Sequence, residues 1–416
     1  MPQRLLLFSA TTGYQLRTFS EAARRMGVDL VLATDRCKSL DDPWADRAIP
    51  VRFDAPETLE KLADAKVDGV AAVGDRPAVL AAEAAERLGL PFHSAAGARA
   101  CHDKFLARQL YQAAGLPVPP YFRVRVDESA AAAAKRAFYP CVLKPLGLSA
   151  SRGVIRANDE HEFTAAYERI RKLLGKSPDL RVQHEEQHRW IQVEQYIEGR
   201  EFALEGIVTG GALQVLALFD KPDPLEGPFF EETIYVTPSR ESAATCEAIG
   251  EAAARAVRAL GLSQGPVHAE MRVNGEGVWM LETAARPIGG LCARALRFRL
   301  GQEIPLEELI LRHALGEDVS AAELYGPAAG VMMIPIPKGG IYESVEGVES
   351  AAGVRDIEEI IITAKEGQRL LPLPEGSSYL GFIFARSVSA DGAEEALRRS
   401  HAKLKFHIAT ALDTIT

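Results

Sequence analysis

Residues 266–290 read PVHAEMRVNGEGVWMLETAARPIGG. Asn274-Gly275 between two apolar runs is a strong hairpin signal, which predicts Glu270 on one strand and Glu282 on the next. An odd-length loop sets the two acids face to face. Like charges directly opposite on a sheet repel, and hard divalent ions such as Mg²⁺ take carboxylate oxygens, so the pattern asks for a cation between Glu270 and Glu282. Four residues on, Arg286 adds a fixed positive fork. The same segment also fits an exposed hairpin whose acids face solvent, and the rest of the chain has to decide between the two.

The chain has 416 residues, 47% of them hydrophobic and 25% charged. That is the size of roughly three domains in an ordinary globular protein. A net charge of -9 argues against a general affinity for nucleic acid or for an anionic membrane. Cys37, Cys101, Cys141, Cys246 and Cys292 are widely spaced and form no C-x-x-C, which fits reduced packing thiols in a cytoplasmic protein. No apolar run reaches the ~18 residues of a membrane span. Leu5-Leu6-Leu7-Phe8 is too short for a signal-peptide core and reads as the first strand.

From residue 4 to about 92, the runs LLLFSA, VDLVLAT and VDGVAAVGD alternate with helical stretches at 16–26, 56–65 and 76–88. This is the βαβ rhythm of a parallel sheet. The first strand runs into SATTGYQ instead of G-x-G-x-x-G, so no dinucleotide site is expected. The stiff LPVPP at 116–120 separates a second unit. There, strand PCVLKPLG, a helix near 158–174, a polar loop at 175–189, strand WIQVEQYI and the hairpin REFALEGIVTGGALQVLAL predict a small α+β lobe. A helix at 241–261 leads into the opening hairpin, helices near 291–298 and 304–315 follow, and VMMIPIPKGG begins a mostly β segment.

Lys144 ends an apolar strand and is followed by GLSASRG at 147–153. Such a loop can bring backbone N–H groups against phosphate while the lysine supplies a point charge. It is not a P-loop, because G-x-x-x-x-G-K-[ST] is absent. Lys104, alone, reads as a helix-surface charge. At Glu194 to Glu201 a strand stops, turns at Gly199 and restarts. Its free backbone can meet an adenine edge beside Tyr196 and Ile197, with Glu201 accepting from ribose hydroxyls; otherwise it is a hairpin with a charged tip. FDKPDPLEGP at 219–228 has too many prolines for a regular element and is long enough to cover a pocket. His184-Glu185-Glu186-Gln187-His188 matches H-E-x-x-H, a helical zinc motif. Gly175, Pro178 and the surrounding polar run make this stretch a loop, and no third ligand follows, so the zinc reading is set aside.

Taken in order, Lys104, Lys144 with its small-residue loop, E-x-x-x-x-G-x-E at 194–201, Glu270 and Glu282 resemble the ATP-grasp ligases over about 96–290. Within that superfamily, His268-Ala269-Glu270 and Glu282-Thr283-Ala284-Ala285-Arg286 are similar to the L-amino-acid ligases, which read H-T-E and E-S-A-A-R. Ala284 stands where many ATP-grasp enzymes have Asn, in agreement with that group.

The resemblance implies a mixed α/β and α+β architecture. It comprises a Rossmann-like pre-ATP-grasp domain at 1–95, an ATP-grasp domain at 96–330 with a lid lobe at about 135–205, and a β-rich C-terminal domain at 331–416. ATP and Mg²⁺ are the implied cofactors, with Mn²⁺ as a substitute. Lys104, Lys144, Ser149, Ser151 and Gly153 would contact the phosphates, Glu194, Tyr196, Ile197 and Leu281 the rest of the nucleotide, and Glu201 its ribose. Glu270 and Glu282 would hold metal. Arg286 and Lys144 would act in catalysis, Arg286 by steadying the transferring phosphoryl group. His268, Glu232, Tyr235, Gly289 and Gly290 would face the substrates, although Tyr235 replaces a histidine of the related enzymes.

The implied reaction joins a small-molecule carboxylate, an amino acid above all, to an amine through an acyl phosphate. No nucleic-acid or membrane partner is expected; a homodimer is what the related enzymes suggest, and the sequence leaves the oligomeric state open. Three rivals remain: an ATP-grasp enzyme using bicarbonate or a purine-pathway carboxylate, a non-catalytic ATP-binding protein, and the zinc hydrolase that rests on HEEQH alone. The H-A-E and E-T-A-A-R pattern disfavours the first, and the full array of charged residues the second.

Overall fold

Leu5, Leu6, Leu7 and Phe8 are all fully buried, without the alternation of a half-exposed strand, as a parallel sheet covered on both faces requires. In the computed structural model, which describes residues 2–10, 15–35, 48–53, 56–62, 65–176 and 186–410, they lie in β1 (Arg4–Ser9). β1 pairs in parallel with β2 (Asp29–Thr34) and β4 (Gly69–Val73), and β2 with β3 (Ala48–Pro50), giving the order β3-β2-β1-β4. Helices Leu16–Met26 and Asp75–Leu88 occupy the expected places. The stretch expected to be helical at 56–65 is a 3-10 helix over Pro56–Leu62; residues 63 and 64 lie outside the described residues.

The lid lobe is an antiparallel sheet of β5 (Tyr121–Arg125), β6 (Cys141–Pro145), β7 (Ile155–Ala157) and β8 (Trp190–Gln195) in the order β5-β8-β6-β7. Helix Glu160–Lys176 packs Phe163, Tyr167 and Ile170 on its outer face against Leu143, Ile191 and Val193. Alternation leaves Val142, Lys144, Gln192 and Glu194 for the inner face. Of the polar loop expected at 175–189, residues 177–185 lie outside the described residues, and Glu186–Arg189 forms a 3-10 helix.

An eight-stranded sheet faces this lobe. It contains β9 (Arg200–Thr209), β10 (Ala212–Lys221), β11 (Ile234–Thr237), β12 (Gly265–Asn274), β13 (Gly277–Ala284), β17 (Ala328–Ile334), β19 (Ile357–Ile362) and β21 (Gly381–Ser387), in the order β13-β12-β9-β10-β11-β17-β21-β19. The last three belong to the C-terminal segment, which therefore extends the central sheet through the β11–β17 pairing. Two small sheets complete the pairing, one of β14 (Arg297–Leu300), β15 (Gln302–Pro305) and β16 (Glu323–Leu324), the other of β18 (Gly340–Glu346), β20 (Arg369–Leu370) and β22 (Lys405–Ala409). The helix expected at 291–298 is thus corrected to a 3-10 turn, Cys292–Ala295, followed by β14. Phe298 is fully buried between half- or fully exposed arginines, a period of two, and Gly301 turns with φ +71° into β15.

The hairpin at 266–284 forms, with Glu270 and Glu282 as cross-strand partners. Its loop is not odd, however. Asn274 pairs with Gly277, leaving a two-residue turn, and the register runs regularly to Met271↔Met280 before it shifts. A bulge at Leu281 supplies the extra residue that brings Glu282, instead of Leu281, opposite Glu270. The bulge is held by Arg108 of helix Lys104–Ala113, which donates from Nη1 to the Met280 carbonyl (2.5 Å) and from Nη2 to that of Leu281 (3.2 Å). The same guanidinium donates from Nε and Nη2 to Glu194 of β8 at 2.9 and 3.3 Å, so one side chain fastens the lid sheet to the central sheet. Both partners are 2% exposed. Deleting Arg108 leaves the buried Glu194 with Lys144 alone and strips the Met280 and Leu281 carbonyls of their donor. Arg108→Met is therefore expected to lower the unfolding free energy in urea by about 3 kcal/mol, whereas Arg17→Ala, which breaks the solvent-exposed pair with Glu21, changes it by less than about 1 kcal/mol. Equal small effects from the two substitutions would refute the clamp.

Candidate active site

The strand period sorts the residues of the central sheet. Phe202, Leu204, Val267, Ala269 and Met271 pack into one core, which turns Glu201, Ala203 and Glu205 of β9 and His268, Glu270 and Arg272 of β12 to the opposite face. There they stand in cross-strand rows: Lys221, Glu201 and Arg272 in one, Ala203, Glu270 and Glu282 in the next, Glu205 and His268 in a third. Above this floor hangs the inner face of the lid. The cavity between them measures ≈ 410 Å³, within the roughly 300–1,000 Å³ of small-molecule sites. Asp75, from the C-terminal end of β4, and Ser377 and Tyr379, from the C-terminal segment, also line it.

Of the residues chosen from sequence, Lys104, Lys144, Ser149, Ser151, Glu194, Tyr196, Ile197, Glu201, Leu281, Glu270, Glu282, Arg286, His268, Glu232, Tyr235, Gly289 and Gly290 all line this cavity. Gly153 does not. Its N–H is given to the Pro374 carbonyl at 2.9 Å, and at φ +73° a Cβ would sit 2.8 Å from Pro145, so it serves the shape of the loop and its docking and offers no phosphate contact. Gly147 has a similar role: a Cβ there would meet the ring of His188 at 2.4 Å. His188 is thus a buried packing residue, and His184 lies outside the described residues.

Most of the acids already have a cation. Glu194 is bound by Arg108 and by Lys144 Nζ, so its carboxylate orients the lysine. Burial pulls the Lys144 ammonium below its ordinary value against the attraction of Glu194. Glu201 accepts from Lys221 and from Arg272, each at 2.9 Å. Arg272 in turn donates to the carbonyls of Ile197 (2.6 Å) and Leu225, with its guanidinium 4.9 Å from the Tyr196 ring. Glu232 and Glu270 share Lys221 at 2.5 and 3.1 Å. Burial and the Glu270 charge push Glu232 up to about 7, while Glu270 is held well below its usual range by Lys221 and His268 despite burial. Burial opposes a charged His268, yet Glu205, 2.5 Å from its Nδ1, holds it up at about 9. Arg286 and Asp75 form a bidentate pair at 2.7 and 3.3 Å; burial would raise Asp75, but the guanidinium keeps it down at about 2.

Glu282 is the exception. It is 32% exposed, and the ammonium paired with it, Lys104 Nζ, stands 3.9 Å away. Two hard carboxylates, cross-strand partners opening on the cavity and only partly neutralised, fit a divalent ion such as Mg²⁺. Among the described residues, the group of three metal-type side chains is a different one, Glu201, Glu232 and Glu270, whose oxygens lie within 4.8 Å of one another.

Sequence reading missed Arg108, Lys221, Arg272 and Asp75. Arg108 sits four residues after Lys104, one helical turn along the same face. Asp75 follows Gly74 directly after β4, the end of a parallel sheet where ligands bind in open α/β folds. Lys221 and Arg272 become readable only once both are placed opposite Glu201.

Three domain models match the chain in order: an ATP-grasp N-terminal domain over 20–92, an ATP-grasp domain over 137–295 and the L-amino acid ligase C-terminal domain 2 over 332–409. The crystal structure of an L-amino acid ligase from Bacillus licheniformis superposes with a TM-score of 0.79 at 25% identity, covering 98% of this chain and 99% of that one. Alanine–anticapsin ligase of Bacillus subtilis is 28% identical over 221 residues, 50% of this chain and 46% of that protein. D-alanine–D-alanine ligase of a Synechococcus strain is 26% identical over 48% of this chain and 59% of its own length, so the chain matches about half the length of these two ligases. No helix of the described residues is long and apolar enough to cross a membrane. With its fold, its two facing charged sheets and these three domains in sequence, the chain belongs to the ATP-grasp ligase family.

Proposed function

We propose that the protein is an ATP- and Mg²⁺-dependent carboxylate–amine ligase that joins an amino acid to an amine through an acyl phosphate, releasing ADP and phosphate. The observation that carries this reading is the opposition, across one cavity, of Lys104 and Lys144 to Glu270 and Glu282, with Arg286 at the end beside Asp75. A nucleotide between the sheets would lay its base against Tyr196 and Ile197, its ribose near Glu201 and its phosphates under the two lysines and the 148–151 loop. Mg²⁺ held by Glu270 and Glu282 would neutralise charge on the phosphates.

Phosphoryl transfer asks chiefly for positioning and for fixed positive charge where negative charge spreads. Arg286 has five N–H groups; two go to Asp75 and one to the Pro287 carbonyl, which leaves two for a transferring phosphoryl group. A substrate carboxylate oxygen bonds to the γ-phosphorus as the bond to the β-phosphate oxygen breaks. The amine nitrogen then attacks the acyl carbon, phosphate leaves, and the amine gives up a proton. Closure of the lid keeps water from the acyl phosphate. Glu232, which lines the cavity with Tyr235, would be the acid that meets an amino group. Similarity to alanine–anticapsin ligase and to the L-amino acid ligase supports an amino-acid substrate.

Incubation with Mg·ATP and pooled amino acids or other small carboxylates is expected to give ADP, phosphate and an amide detectable by mass spectrometry, all lost in Glu282→Ala. Bicarbonate-dependent ADP release without amide would replace this reading with a carboxylase, and tight ATP binding with no turnover on any acid would replace it with a binding protein. Arg286→Ala is expected to lower kcat by on the order of 10²–10³ while nucleotide affinity stays within about threefold of wild type; turnover within tenfold of wild type would remove Arg286 from the chemistry.

A further inference from the structure

Glu201, Glu232 and Glu270 bring three carboxylate oxygens within 4.8 Å of one another, a spacing that suits a divalent cation, yet the centre of the group is filled by protein. Lys221 Nζ stands 2.9 Å from Glu201, 2.5 Å from Glu232 and 3.1 Å from Glu270. An ammonium has three N–H donors and no lone pair, so its bonding capacity is used in full by the three acids. We propose that Lys221 is a positioning residue whose ammonium takes the place of a metal ion in this triad and thereby fixes the relative placement of the ribose, substrate and metal ends of the cavity.

The fold leaves this lysine little freedom. Its side chain is 2% exposed, it is the cross-strand partner of Glu201, and Pro222 behind it restricts its backbone to extended conformations. The Tyr235 ring lies 5.0 Å from Nζ, a further contact that favours a cation over a neutral group. The three acids come from three places: β9, the segment before β11, and β12. Each has a second link. Glu201 holds Arg272, which carries the Ile197 carbonyl; Glu270 takes His268 and faces Glu282; Glu232 borders the substrate end. Displacing the ammonium would therefore loosen nucleotide and metal contacts together.

A second consequence is exclusion. With Lys221 in place, Glu201 and Glu232 are closed to metal, and an ion at Glu270 is confined to the side shared with Glu282. What the ends of the cavity bind rests on the proposed ligase reading; the occupancy of the triad by an ammonium does not.

The test counts Mn²⁺ bound to the nucleotide-free protein by electron paramagnetic resonance, and measures fluorescent ATP-analogue affinity with Mg²⁺ in parallel. Lys221→Met is expected to take up one more Mn²⁺ per chain than wild type and to bind the nucleotide at least tenfold more weakly. Lys221→Arg, which keeps the charge, should take up no extra ion. A folded Lys221→Met with wild-type Mn²⁺ stoichiometry and affinity would overturn the proposal. Should that variant fail to fold, the double variant K221M/E232Q decides: relief of the repulsion among the acids is expected to restore the fold without extra Mn²⁺, and an equal failure to fold would count against the role. A wild-type protein that binds no nucleotide would defeat the ligase reading, and the Mn²⁺ count would still decide the role of Lys221.

Discussion

The buried guanidinium of Arg108 is the contact on which the geometry of the cavity depends. Two sheets with charged inner faces have no hydrophobic reason to stay at ligand distance; their apolar faces look outward, into separate cores. Arg108 spans them, with Glu194 on one side and the carbonyls of the β13 bulge on the other. It thereby fixes three things at once: the spacing of the sheets, the orientation of Lys144 through Glu194, and the register that puts Glu282 opposite Glu270. Its neighbour one turn back, Lys104, begins the same helix and reaches the Leu148 carbonyl and Glu282, so the loop over the cavity and the floor beneath it are both referred to one helix.

The floor follows the same principle at higher density. Acids and cations alternate across adjacent strands, so that groups which would repel in isolation are ordered into fixed dipoles before any ligand arrives. Such preorganisation is what makes electrostatic stabilisation effective in a site shielded from water. The net charge of -9 says nothing of this arrangement, because the pairs cancel in the sum. Glu282 stands out for having only a distant ammonium, Lys104 at 3.9 Å, and that incompleteness is what suits it to the cation proposed above.

How far this is readable from sequence depends on distance along the chain. The hairpin, the small-residue loop and the charged turn at 194–201 are local, and local patterns carry their own signals. Even there the pairing of Glu270 with Glu282 has a different cause from the loop length that predicts it, since nothing in VWMLET announces a bulge at Leu281. Gly153 reads as a phosphate contact because it ends a small-residue loop, but its partner, Pro374, is remote in the chain. Arg108 pairs with Glu194 and Met280 across separations of 86 and 172 residues, and Lys221 reads as a loop lysine beside prolines until β9 and β12 are set next to it. Arg297-Phe298-Arg299-Leu300 is too short a run to separate period two from a helical turn.

The C-terminal segment shows why substrate choice is the least legible part. Its strands continue the central sheet, and its loop at 371–379 does two jobs in space. Glu375 takes a bidentate pair from Arg169 of the lid helix and, through its carbonyl, a bond from Arg152, while Ser377 and Tyr379 face the cavity. The loop at 225–230 behaves alike: Arg156 of the lid bonds to the Glu226 and Pro228 carbonyls, Ile155 bridges to Phe229, and Phe230 and Leu225 line the cavity. These walls of the cavity are thus the same loops that bond to the lobe above it. Under the proposed reading, a change of cavity-facing residue in either loop would alter the contact with the lobe above as well as the shape of the cavity, so specificity would have no compact motif in which to be written.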